Sequence, residues 1–176
     1  MPLMKFFTLA NWKKSQNLDD DKAFAEVVTA DKKYRLYLET IRSKLPPEFQ
    51  RFLELASLDD GEVLEIEIEP SLAKASLWCR ALDNASEGKN AHYLTLEYYG
   101  LRKFRSLAPE QESFGGDGYG DIGNQEIELL SEGTFEHRLL FSTGIELAIT
   151  FVNFKLVQLP WSELRESSYG KWRKLL

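Results

Sequence analysis

The chain predicts an α+β fold, with N-terminal helices packed on one face of an antiparallel sheet of about six strands. Three observations predict it. Helical signals concentrate before Pro46. From Gln125 to Pro160, three consecutive segments carry apolar residues on alternate positions over much of their length, the period of a half-buried strand. Between these regions Leu64, Ile66 and Ile68 alternate with Glu65, Glu67 and Glu69. Helices and strands that segregate along a chain belong to the α+β class.

Each element has its own reason. Lys5-Phe6-Phe7-Thr8 reads as a short strand. Asp19-Asp20-Asp21 opens the helical part, because carboxylates cap free N–H groups and favour the positive end of the helix dipole. Ala23, Phe24, Val27 and Val28 form a helical face, followed in a second phase by Tyr34, Tyr37, Leu38, Ile41 and Leu45. One long helix or two, the second capped by Asp31, both fit this pattern. Pro46 ends it. Pro47 suits the first turn of the next helix, whose buried side is Phe49, Phe52, Leu53 and Leu55-Ala56. Leu58-Asp59-Asp60-Gly61 reads as the turn that closes it.

Strands follow at 62–69, 73–82 and 93–99, with a polar loop from Asp83 to Asn90. Leu101 to Leu107 reads as a short helix. The run Ser113 to Asp121 carries four glycines in six positions and reads as loop. Strands then span 125–131, 134–142 and 145–159, and a short basic helix follows Trp161. The chain reads as one domain, residues 1–176, with a helical part at about 19–56 and a sheet part at about 62–159.

One register follows from the hydrophobic pattern. A three-residue loop Ser142-Thr143-Gly144 aligns Phe141 with Ile145, Leu139 with Leu147, His137 with Ile149 and Phe135 with Phe151. A one-residue slip would move every side chain to the other face. The loop therefore needs Gly144 in the left-handed conformation.

Composition limits function. The net charge is −6, against the basic face that a general nucleic-acid binder needs. Cys79 is the one cysteine, so an intramolecular disulfide is excluded. No run of about 18 apolar residues predicts a transmembrane helix, and the N-terminus lacks the long apolar core of a signal peptide. The expectation is a cytoplasmic protein.

Candidate sites each have a structural alternative. Asp117 and Asp121 in the glycine-rich loop are hard oxygen ligands, but the run fails the spacing of known calcium loops, so no metal and no cofactor is expected. Glu65 and Glu67 share one strand face, and a solvated acidic face explains them without catalysis. Tyr98 and Tyr99 are adjacent, so one of them points away from any single core face and is the interface candidate. The strand phase buries His137, which then needs hydrogen-bond partners. Glu136, Arg138 and Glu146 suit a cross-strand charge cluster on the outer face. The motifs G-x-S-x-G, G-x-x-x-x-G-K-[ST] and H-E-x-x-H do not occur in the sequence.

Several segments together resemble an uncharacterised bacterial family, one of the groups called domains of unknown function. They are Lys5-Phe6-Phe7-Thr8 with Trp12, Leu45-Pro46-Pro47, Ser57-Leu58-Asp59-Asp60-Gly61, and Gly133-Thr134-Phe135-Glu136-His137-Arg138-Leu139-Leu140-Phe141 followed by Gly144-Ile145-Glu146-Leu147. Similar proteins often carry histidine-aspartate at the helix–strand joint, where this chain has Asp59-Asp60. The resemblance implies a bacterial, cytosolic α+β protein and supplies no activity. The functional expectation is a non-enzymatic protein-interaction domain with a protein partner, an immunity-like role being one concrete form. The alternative is a small-ligand protein or enzyme with a carboxylate site under the 101–124 loop.

Overall fold

The computed structural model describes residues 2–16, 21–87, 89–108 and 119–159. Three helices, α1 (Leu9–Ser15), α2 (Asp21–Ile41) and α3 (Pro47–Leu55), precede every strand. The strands are β1 (Ala56–Glu69), β2 (Lys74–Asp83), β3 (Ala91–Tyr99), β4 (Lys103–Leu107), β5 (Ile122–Ser131), β6 (Thr134–Phe141), β7 (Glu146–Phe151) and β8 (Asn153–Leu159). All pairings are antiparallel. The α+β class stands, but the strands divide between two four-stranded sheets, ordered β1-β2-β3-β8 and β4-β7-β6-β5.

The division comes from a break at Val152. The segment expected as one strand, 145–159, is two: β7 stays in the second sheet and β8 crosses to the first. At the crossing, the Val152 N–H donates to the Tyr99 carbonyl at 3.0 Å. The alternation changes phase there. Leu147, Ile149 and Phe151 face the core before the break, and Phe154 and Leu156 face it after. The two sheets share one apolar core, into which α3 inserts Phe49 and Phe52 with no exposed surface. Phe49 lies 4.7 Å from Phe154 of the first sheet and 6.0 Å from Phe151 of the second, centroid to centroid. Truncating such an aromatic costs about 3–5 kcal/mol.

The helical part is continuous through Asp31, which pairs with Arg35 at 2.8 Å instead of capping a second helix. Pro46 precedes α3, with Pro47 in its first turn. Residues 5–8 form no strand. They are an irregular strap, and Thr8 caps α1 by accepting the Asn11 N–H at 3.3 Å. Two further expectations are corrected. Leu58 to Gly61 is a bulged part of β1, because Leu58 is wholly buried and the chain keeps pairing with β2 on both sides. Leu101 to Leu107 contains strand β4, which pairs with β7 and packs Phe104 against the core. The glycine-rich run at 113–118 and the expected C-terminal helix lie outside the described residues.

The β6–β7 register matches the pattern: Phe135 faces Phe151, His137 faces Ile149 and Leu139 faces Leu147. Phe141 donates to the Ile145 carbonyl at 2.9 Å, and Gly144 has φ +83°.

Candidate functional site

The predicted site residues do not converge. Tyr98 is wholly buried in the shared core. Its hydroxyl lies 2.8 Å from His137 Nδ1, and Gln125 Oε1 lies 3.1 Å from Nε2. The amide oxygen can only accept, so Nε2 carries the proton and Nδ1 accepts from Tyr98. Burial drives the His137 pKa down to about 3, keeping the ring neutral. Tyr99, its neighbour, points to the outer face of the first sheet, half-buried, and donates to Glu97 at 2.9 Å. Asp121 bridges to Glu62 at the sheet boundary. Asp117 lies outside the described residues.

Glu65 and Glu67 stand on the outer face of β1, at an end of the first sheet. Among the described residues neither has an ion-pair partner. Their neighbours Glu69 and Glu97 share Lys74, each at 3.1 Å. Desolvation first, and then repulsion from Glu67, raises the Glu65 pKa. Ile68 near the end of the same strand and Leu72 in the 3-10 turn that follows are exposed.

The outer face of the second sheet is acidic too, but it is buried. Arg138 binds three carboxylates: Glu136 at 2.7 Å, Glu126 at 3.0 Å, and Glu128. Glu136 also accepts from Arg105 at 2.8 Å and from Thr150 at 2.7 Å. Burial alone would raise the Glu136 pKa, but the bonds from Thr150, Arg138 and Arg105 outweigh it and lower it. The N-terminal strap covers this face. Glu126 accepts the backbone N–H groups of Lys5 at 2.6 Å and Phe6 at 2.8 Å, and Glu146 accepts those of Leu3 and Met4. Phe6 and Phe7 then pack on Tyr34 and Tyr37 of α2. The sequence placed Glu136, Arg138 and Glu146 on one outer face. Its solvent exposure is corrected, because the strap excludes water from it.

A third arrangement lies at the seam where β1 meets β5. Strand β5 ends its sheet, so every second N–H along it lacks a strand partner. Side chains supply the acceptors. Ile127 donates to the Tyr34 hydroxyl at 2.9 Å and Leu129 to the Tyr37 hydroxyl at 3.0 Å. Gln125 donates through its backbone to the Asp59 carboxylate. Such capping blocks the edge against pairing with another strand.

Asp59 reaches that position because β1 bulges. Between the pairs Ser57–Leu82 and Glu62–Arg80, β1 advances five residues while β2 advances two. Asp60 sits within the bulge at φ +59°, a left-handed conformation that aspartate tolerates better than most residues. Gly61 is required there, since a Cβ would come within 2.6 Å of the Arg80 carbonyl oxygen. As a whole residue Asp59 is exposed. Protein atoms nevertheless crowd its carboxyl, and this desolvation raises its pKa to about 6. The Ser57 hydroxyl and the Gln125 N–H act in the opposite direction, while the charges of Asp60 and Asp31 add to the rise. Sequence reasoning missed this pair by reading it as a turn. The available signal was a buried-type Leu58 directly before two acids and a glycine.

Cys79 and His92 are the remaining reactive groups, and His92 Nε2 is buried near Asp83 without the geometry of a hydrogen bond. Cys79 is buried, which pushes its thiol up to about 12. His92 Nδ1 lies 3.1 Å from the Gln158 amide nitrogen, and Nε2 lies 3.2 Å from Asp83. Among the described residues no group of three His, Cys, Asp or Glu could hold a metal, and no helix is long and apolar enough to cross a membrane. No protein-family model matches this chain, and no curated protein matches it.

Proposed function

We propose that this protein is an interaction domain that presents the outer end of β1 to a basic protein partner. The observation behind this reading is the uncompensated pair Glu65 and Glu67 beside exposed Ile68 and Leu72. Glu69, Glu97, Glu126, Glu128, Glu136 and Glu146 each have a cation or a donor. An unpaired acid pair at a strand edge is repulsive in the free protein, and a cationic partner would relieve that repulsion. Charge complementarity of this kind speeds encounter and excludes wrong partners. A stable complex would bury on the order of 1,200–2,000 Å² in total. An immunity-like role, in which the acidic edge blocks a basic toxin, is one form of this function.

The test is parallel capture from source-cell extract with the wild-type protein and with Glu65→Lys/Glu67→Lys. The expected result is a stoichiometric basic protein held by wild type, weakened by salt and lost with the reversed pair at unchanged thermal stability. Equal capture by both proteins would remove β1 from the interface, and no capture by either would remove the reading.

A further inference from the structure

The helices and the strap serve the core and the second sheet. Helix α3 fills the space between the sheets with Phe49 and Phe52. The strap lies on the outer face of the second sheet, and α2 lies along its β5 edge. None of these lies on the outer face of the first sheet. Directly paired residues on neighbouring strands share a face, so the register reads that face out. Glu65, Trp78, Thr95 and Val157 form one row across β1, β2, β3 and β8. Thr95 is buried, while Trp78 and Val157 stay half-buried. The row is an apolar strip closed at its β1 end by a carboxylate. Glu67 stands in the next row. Lys74 pairs with Glu69 and Glu97, Lys155 pairs with Glu97, and Arg80 stands opposite Glu62. Among the described residues, Glu65 and Glu67 are the acids left over.

The chain itself supplies the complement. Strand β8 ends at Leu159, opposite Tyr93 of this sheet, and residues 160–176 follow. Trp161, Leu164, Trp172 and Leu175 recur there at helical spacing, and Arg165 and Lys171 fall at the two borders of that stripe. With Arg173 and Lys174 the segment has four basic residues against two acids, Glu163 and Glu166, in a chain whose net charge is −6. As a helix its 17 residues would span about 25 Å. The sheet measures about 14 Å from β8 to β1, three strand spacings. The segment can therefore reach the acid pair from the end of β8.

We propose that residues 160–176 dock in cis across the outer face of the first sheet, with their tryptophans on the Trp78–Val157 strip and their basic residues at Glu65 and Glu67. An apolar strip beside two unpaired acids meets an apolar stripe bordered by bases, on a segment that starts from the same sheet. The inference rests on the reading of the β1 end as an interaction surface and adds its regulation. A basic partner reaches the acid pair by displacing the segment.

The test is paramagnetic broadening of amide NMR signals in the full chain, with a nitroxide on Ser167→Cys, a position outside the apolar stripe. Cys79 is buried and takes no label. The expected result is strong broadening of Ile66 and Ile68 on β1, the strand farthest from β8 in its sheet, exceeding that of Leu139 in the second sheet. Glu65→Lys/Glu67→Lys should restore most of the lost intensity at an unchanged melting temperature, and high salt should do the same. No broadening on β1, or broadening that survives the reversed pair, would overturn the proposal. Broadening of an unlabelled copy mixed with the labelled one would assign the face to a second chain and overturn docking in cis. Docking is read on the protein alone, so its failure is distinct from a failure of the capture experiment, which tests the partner.

Discussion

The outer faces of the two sheets are both acidic, yet they are built in opposite ways. On the second sheet, Glu126, Glu128 and Glu136 converge on Arg138, and the strap seals them from water. On the first sheet, Glu65 and Glu67 face outward with no cation among the described residues. A buried carboxylate persists only when donors replace its lost hydration, so the sealed face acts in folding. An acid pair left unpaired at an edge adds nothing to stability and is free to act in binding. The comparison teaches that compensation, more than charge, separates structural acids from available ones.

The sharpest way to break this comparison is to remove the cation at the centre of the sealed face. Arg138→Met leaves buried carboxylates unpaired and should cost about 3–5 kcal/mol in chemical denaturation. Its pH profile is also informative. The lowered pKa of Glu136 gives stability that is complete above its unfolded value near 4.5 and is lost as pH falls through the folded value. Without Arg138 that lowering shrinks, so the variant should show a shallower acid loss than wild type. A deficit below about 1 kcal/mol would mean that the sealed face is worth no more than a surface pair.

Glu126→Ala orphans the strap N–H groups and should cost about 1–3 kcal/mol. Hydrogen exchange at Lys5 and Phe6 should accelerate more than at Leu139. Unchanged exchange at the strap would show that its aromatic contacts alone hold it. Gly144→Val forces a β-branched residue to φ +83° and should cost about 1–2 kcal/mol. This hairpin aligns Glu136, Arg138 and Glu146 on one face, so an unchanged melting temperature would discard the register as the source of that face.

The smallest effect belongs to the open face. The Glu65 pKa is raised on folding, so its contribution is fully present below the unfolded value near 4.5 and is lost as pH rises through the folded value. Glu65→Gln should therefore be neutral to slightly stabilising at pH 7, within about 0.5 kcal/mol. A clear loss of stability would make Glu65 a structural acid like Glu136.

Much of the fold was legible, and the exceptions have reasons. Alternation placed Leu139, Leu147 and Phe151 in the core, and the phase made His137 a buried, bonded histidine. The division into two sheets was written in the sequence as a phase slip at Val152, but apolar residues on both sides of it, Phe151 and Phe154 among them, let one strand be read through a change of sheet. Leu101 to Leu107 carries too few apolar residues for its period to decide, and pairing with β7 chose the strand. Of the candidate site residues, adjacency alone separated Tyr98 from Tyr99, while Glu65 and Glu67 were readable as one face. The seam was not readable. Asp59, Tyr34 and Gln125 are distant in the chain, and nothing local marks an aspartate as the cap of a distant edge strand.

The sequence by itself determined the order of helix before strand, the inward face of each long strand and the left-handed loop at Gly144. These rest on periodicity and backbone sterics, which act over a few neighbours. Only the tertiary structure decided which acids are buried, which are paired, and where Asp59 stands relative to Gln125. Those outcomes depend on what covers a face and on how desolvation balances the charges brought to it, and both arise between segments far apart in the chain.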